Sequence, residues 1–165
     1  MKKLNTLEKE VVDILLKRLK DEFTAFYFYR SAANWCRNVG FMKAADYFEN
    51  ESKDELEHAK KLEDFMVTWN VSVSLPLIKE PKAEFNSLYE IINNAYDIEY
   101  ELYENYEQDS VAIFKIGDIC TFDLLKFFRE VQTKSVGEYS DMINMLEGVN
   151  TNSKFEMLTL EKKLF

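Results

Sequence analysis

The places where this chain can bend are few and clustered. Both prolines, Pro76 and Pro81, fall between residues 70 and 85, and glycine occurs four times in 165 residues. Outside that segment apolar residues recur at three- and four-residue spacing, the period of an amphipathic α-helix. The predicted architecture is therefore all-α. Four long helices are expected at about residues 6–35, 41–69, 87–112 and 118–146, and a short fifth at about 153–164, all within a single domain spanning 1–165.

Local punctuation supports these boundaries. Asn5 with Glu8, Ser87 with Glu90 and Ser153 with Glu156 read as capping boxes. Arg37-Asn38-Val39-Gly40 and Gly117-Asp118 supply the stops. Residues 70–85 are too many for a tight connection, and at up to about 3.3 Å per extended residue they can run the length of a bundle. A four-helix bundle with a long crossover between its second and third helices is expected, which makes those two helices parallel.

Each long helix carries a polar residue in the middle of its apolar stripe. Glu22 is flanked by Val11, Leu15, Phe26, Tyr29 and Ala33, and Glu55 by Ala44, Phe48, Ala59, Leu62, Met66 and Trp69. Glu99 sits among Leu88, Ile92, Tyr103, Tyr106 and Ile113, and Gln132 among Leu125, Phe128, Val136, Tyr139 and Ile143. Ionised carboxylates are not left alone in such places, because desolvation costs several kcal/mol unless a cation or donor compensates. Glu22 precedes Glu55 by 33 residues, and Glu99 precedes Gln132 by 33. With each turn near the midpoint, both arms of each hairpin are about 24 Å long at 1.5 Å per residue, so hairpin partners stand level.

The one histidine, His58, follows Glu55 by three residues, which on a helix places both on one face a turn apart. A Glu-x-x-His pair inside a helical bundle is a donor set of carboxylate-bridged di-metal sites. Three carboxylates, one imidazole and one amide suit a pair of Fe(II) ions, with Zn or Mn as competitors, better than a structural zinc site. Glu55 is the natural bridge, Glu22 and His58 complete a first site, and Glu99 and Gln132 serve a second. The fourth helix offers no second Glu-x-x-His, since Glu130 lies on the face opposite Gln132. A second ion held so weakly can leave after oxidation, which makes iron a substrate passing through rather than a resident cofactor. Two adjacent ions can each give O2 an electron, and the Fe(III) formed hydrolyses to oxide.

The rest of the sequence narrows the class. A formal charge of −9 disfavours nucleic acid and favours cations. No apolar run is long enough to span a membrane, and Glu8, Glu10 and Asp13 interrupt any signal-peptide core, so a cytoplasmic location is expected. Cys36 and Cys120 show no CxxC spacing and are expected to be reduced and structural.

Over essentially its whole length the sequence resembles the ferritins of the bacterial non-haem type. The likeness rests on Glu22 with Tyr29, Trp35-Cys36, Asp54-Glu55-Leu56-Glu57-His58, Tyr96 with Glu99, and Phe122 with Gln132. It implies a ferroxidase centre with Glu22, Glu55, His58, Glu99 and Gln132 as iron ligands. Tyr29 would be the tyrosine beside the centre that can donate an electron to the oxygen intermediate. It also implies a homo-oligomeric shell of 24 subunits storing ferric oxide.

Departures from that pattern matter too. Asp54 could contribute to a third iron site, but Val131, Lys134 and Ser135 stand where the fourth helix would supply acids, so that site is expected to be absent or altered. Leu56 occupies the place of the methionine that haem-binding relatives use, so no haem is expected. For Asp118 helix capping is expected and for Asp123 exposure, with lining of an iron channel as the alternative. The short fifth helix, apolar through Leu158, Leu160 and Leu164, is expected at a subunit junction. Two other functions compete: a rubrerythrin-like peroxidase, and a non-catalytic helical scaffold whose buried acids are met by Arg18 or Arg129.

Overall fold

The computed structural model describes residues 6–165. Among them all regular structure is helical: α1 Lys9–Val39, α2 Met42–Thr68, α3 Leu88–Ile116, α4 Ile119–Leu146 and α5 Lys154–Leu164. Among the described residues no helix is long and apolar enough to cross a membrane.

The first helix differs from expectation at both ends. Its N-cap is Glu8, which makes no side-chain capping bond, and the expected cap at Asn5 lies outside the described residues. At the other end α1 continues past Trp35 to Val39. Arg37, Asn38 and Val39 remain helical, and Gly40 alone makes the turn at φ +90°, its N–H returning to the Cys36 carbonyl. That left-handed conformation strains any residue with a Cβ. Similarly, α3 runs to Ile116 before Gly117 stops it at φ +85°. Asp118 then caps α4, accepting from the Thr121 N–H at 2.9 Å and from its hydroxyl at 2.8 Å. Ser87 and Ser153 cap α3 and α5 as expected, accepting from Glu90 N at 3.1 Å and Glu156 N at 3.3 Å.

Two helical hairpins, α1–α2 and α3–α4, face each other. Their relative direction follows from contacts between α1 and the later chain. Arg18, early in α1, reaches Asp109 late in α3 at 3.3 Å, whereas Phe28 and Trp35 near its end meet Phe85, just before α3, at ring separations of 6.1 and 6.0 Å. Helices α1 and α3 are therefore antiparallel, and α2, antiparallel to α1, runs parallel to α3. The crossover that permits this extends without helix or strand between Asn70 and Ser87. The Ser31 hydroxyl pins it by donating to the Lys82 carbonyl at 2.6 Å.

The core is continuous through the bundle and rich in Leu, Ile, Phe and Tyr, each large fully buried side chain contributing about 1.5–3 kcal/mol. Several stripe residues, including Phe26, Trp69, Tyr103, Val136 and Ile143, are half-buried, while Leu19 and Ala25 beside the expected stripe are fully buried. A helix packed against two neighbours buries an arc wider than one narrow stripe.

Helix α5 folds back onto the α1–α2 turn. The Glu161 carboxylate accepts from the Ala44 backbone N–H at 2.9 Å, inside the first turn of α2, and Lys154 donates to the Val39 carbonyl at the end of α1. The N-cap residue of α2, Phe41, offers no side-chain cap, so Glu161 satisfies an otherwise orphaned donor from across the fold. Phe165 closes the join against Tyr47 at 4.9 Å and Phe48 at 5.6 Å. Cys36 is buried beneath this join, whereas Cys120 is exposed at the start of α4; both are free. A structural role for both cysteines therefore fails at Cys120, whose thiol packs into no core.

Candidate metal centre

The four polar residues expected to meet stand on four different helices, and all are buried. Glu22, Glu99 and Gln132 are 0% exposed and Glu55 is 3% exposed. His58 is nearly buried, its ring meeting Phe127 and Phe128 edge-on at 6.1 and 5.9 Å. Long apolar faces on each helix carry these groups inward with the rest of the core. One ligand atom each from Glu22, Glu55 and His58 lie within 4.8 Å of one another. The nitrogen turned toward the carboxylates is His58 Nδ1, 3.4 Å from Glu55 Oε2 and 3.5 Å from Glu22 Oε2. Glu99 is not part of that tight trio. The charge of Glu99 nonetheless bears on Glu55, and that of Glu22 on Glu99.

Two tyrosines hold the outer carboxylates. The Tyr29 hydroxyl on α1 donates to Glu99 Oε1 on α3, and the Tyr106 hydroxyl on α3 donates to Glu22 Oε1 on α1. The other oxygen of Glu99, Oε2, has no hydrogen-bond partner, and that of Glu22 has His58 Nδ1 near it, at 3.5 Å. Gln132 is more isolated still, with neither its Oε1 nor its Nε2 bonded. A buried donor or acceptor without a partner costs about 1–3 kcal/mol. The centre thus concentrates unmet oxygen donors at one level of the bundle.

Arginine does not meet them. Arg18 pairs with Asp21 at 3.1 Å and Asp109 at 3.3 Å, and Arg129 approaches Glu107 at 3.9 Å. Among the described residues, His58 is the one cationic side chain within ion-pair distance of Glu22 or Glu55. The titration pattern follows from this. Burial, reinforced by the Glu22 charge, pushes the Glu55 carboxyl well above its ordinary range, and burial lifts Glu99 to about 8. Burial alone would pull His58 down, but its bonds to Glu22 and Glu55 and their charges outweigh that and raise it to about 10. Without a further cation the centre retains protons, and a dication supplies the charge that displaces them.

A groove of about 360 Å³ between α2 and α4 leads from Glu55 and His58 to the surface. Glu51, Asp54 and Glu138 line it, as do Lys134, Val131 and Ser135. Burial, then the charges of Asp54 and Glu138, raise Glu51 to about 7. Lys134 lies 3.4 Å from Glu138. Sequence reasoning overlooked Glu51, although it lies four residues before Glu55 and so on the same helical face. It also took Tyr106 as a stripe residue alone. A signal for Tyr106 was present: Tyr29 follows Glu22 by seven residues, and Tyr106 follows Glu99 by seven.

Comparison with known proteins decides the family, because the profile of the ferritin-like domain matches residues 12–149. The chain belongs to the ferritin family. A bacterial non-heme ferritin of Staphylococcus saprophyticus is 25% identical over 158 residues, covering 96% of this chain and 94% of the relative. One from Campylobacter jejuni is 23% identical, covering 86% and 84%. Among solved structures, the open-pore ferritin of the archaeon Archaeoglobus fulgidus superposes with a TM-score of 0.90 at 21% identity, covering 96% of this chain and 98% of that one. A humanized archaeal ferritin gives 0.89 at 21% identity, covering 96% of each chain. The four-helix bundle with a long crossover and a short C-terminal helix is the ferritin fold, and ferritins are iron-binding storage proteins.

Proposed function

We propose that this chain is a ferritin subunit that oxidises Fe(II) with O2 and stores the ferric product inside a homo-oligomeric cage, of 24 copies if it follows its family. The observation that carries this reading is the meeting of Glu22, Glu55 and His58 within 4.8 Å in a core where arginine leaves them uncompensated. The same observation counts against a scaffold, whose buried acids would need a resident partner.

Iron enters here as substrate. Glu55, on the face between the two halves of the site, bridges two Fe(II) ions; Glu22 and His58 Nδ1 hold the first, and Glu99 and Gln132 the second. Each ion gives O2 one electron, so that O2 with two protons leaves as hydrogen peroxide, and Fe(III), a stronger Lewis acid, acidifies its water and hydrolyses toward oxide. Tyr29, bonded to Glu99, is the residue we assign as a further one-electron donor to the oxygen intermediate, its phenoxyl radical being reduced again by another Fe(II). The amide of Gln132 brings no charge, so the second ion is the more loosely held and the first to move on. The Glu51-lined groove is its way out. We place the protein in the cytoplasm and assign it no haem.

The test adds Fe(II) to metal-free protein in air while following ferric absorbance and native mass. A ferroxidase cage oxidises iron well above the protein-free blank and keeps it in an assembly of high mass. Oxidation at the blank rate would establish the scaffold reading, and a requirement for peroxide in place of O2 the peroxidase one.

A further inference from the structure

The two outer carboxylates of the centre are built alike. Glu22 and Glu99 are each 0% exposed and each receives one phenolic hydrogen bond on Oε1; Oε2 of Glu99 has no hydrogen-bond partner, and that of Glu22 lies 3.5 Å from His58 Nδ1. The donors are exchanged between helices: α1 supplies the tyrosine for the α3 carboxylate, and α3 supplies the one for the α1 carboxylate. This follows from antiparallel helices carrying the same Glu-to-Tyr spacing of seven, about two turns. Tyr106 is fixed as firmly as Tyr29. Its ring is 0% exposed and lies on Phe128 at 4.8 Å with 8° between planes, and the Arg18 guanidinium stands 6.0 Å from its centroid.

A carboxylate can bind an ion through one oxygen or two. A phenol already donating to Oε1 competes for that oxygen, so an ion reaching Glu22 meets Oε2 alone. We propose that Tyr106 is a positioning residue of the iron centre: by occupying Glu22 Oε1 it restricts Glu22 to one-oxygen ligation and keeps the first ion loosely held. The inference takes the ligand set proposed above as given. It gives Tyr106 a role matching the one Tyr29 has at Glu99, and it explains how three buried carboxylates can surround iron without trapping it. A chelating grip by Glu22 would suit a resident cofactor, whereas one oxygen suits an ion that must leave.

The experiment uses Co(II), which does not react with O2 at this centre as iron does and whose visible bands weaken as ligands are added. The assembled, metal-free protein and its Tyr106→Phe variant are titrated with Co(II), and the signal lost in Glu22→Ala defines the site. Phe keeps the stack on Phe128, and circular dichroism with native mass checks that the variant folds and assembles. If the phenol competes for Oε1, the variant binds Co(II) at least about threefold more tightly and with weaker visible bands, as Glu22 takes up two-oxygen ligation. A phenol that merely props the carboxylate predicts the reverse, since losing an outer partner of a ligand typically weakens metal binding by about 10–100-fold. Weaker or unchanged binding with the parent spectrum overturns the proposal. Tyr29→Phe should act alike at the Glu99 end. Tyr139→Phe, which removes a buried hydroxyl that bonds to neither carboxylate, should leave the spectrum untouched. A parent that binds Co(II) here but leaves Fe(II) at the blank rate removes the ferroxidase reading and leaves Tyr106 in place; a parent with no Glu22-dependent Co(II) overturns both.

Discussion

At the scale of single residues, the centre is a set of groups that destabilise the empty protein and are useful when iron arrives. Gln132 shows this most plainly, as a fully buried amide with no bonded atom. Replacing it with the similarly sized, apolar residue in Gln132→Leu should stabilise the metal-free protein by about 1–3 kcal/mol, read as a higher midpoint of thermal unfolding. The same variant should lose the second ion and with it fast oxidation. An unchanged or lower midpoint would mean that the amide has a partner in solution. On the proposed ligand set Glu55→Ala would remove the bridge between both ions, and its initial rate of iron oxidation should fall to the blank rate in stopped-flow absorbance. A parent-like rate would show that Glu55 bridges nothing. The burial of Glu22, Glu55, Glu99 and Gln132 was legible in the sequence, because a buried polar group stands out against an apolar stripe. Tyr106 was overlooked, because a tyrosine on such a stripe looks like any other core aromatic unless its spacing from Glu99 is set beside that of Tyr29 from Glu22.

At the scale of elements, α5 ties together the two arms of the first hairpin at their turn, by polar contacts as well as by packing. Glu161 is 4% exposed and bonds to the start of α2, far along the helix from the metal centre. Glu161→Ala should cost about 1.5–3 kcal/mol in thermal or denaturant unfolding, the usual value of a hydrogen bond to a charged group, with the iron oxidation rate unchanged. A neutral effect would mean that water caps Ala44 equally well. This contact could not be read from the sequence. The sequence drew notice to Leu158, Leu160 and Leu164, which are half-buried within the single chain, whereas Met157 and Glu161 take the inward side of α5 and Phe155 is left 80% exposed. The helix boundaries missed at 35 and 112 have a simpler cause. Arg37 and Asn38 read as a turn after 35, and the mainly apolar run 113–116 was cut short without such a signal, yet Gly40 and Gly117 are where the backbone actually leaves the helix.

For the molecule as a whole, the hairpins, their direction and the crossover were legible from helical period and from the placement of two prolines. What the sequence did not contain was the electrostatic cost of bringing the halves together. Burial lifts Glu99 to about 8 and Glu51 to about 7, against an ordinary value of 4.5, so the folded protein binds protons that the unfolded chain releases. Metal-free stability therefore falls as pH rises from about 5 to about 8. His58, raised to about 10 against 6.5, adds to the same downward slope at higher pH. Loading the centre with Zn(II), which replaces those protons, should flatten the dependence, and the gap in unfolding midpoint between loaded and empty protein should widen from pH 6 to pH 9. Parallel curves for the two forms would mean that zinc binds elsewhere.

The seven-residue spacing shared by α1 and α3 gives the centre an approximate twofold axis, because turning one helix onto the other exchanges Glu22 with Glu99 and Tyr29 with Tyr106. If the centre holds two ions as proposed, whatever makes their positions unequal must then come from the remaining pair of helices, one carrying an imidazole and the other an amide. The order in which the ions arrive and depart would then be written in the contrast between His58 and Gln132, and exchanging that contrast would reverse the direction of traffic through an otherwise even-handed site.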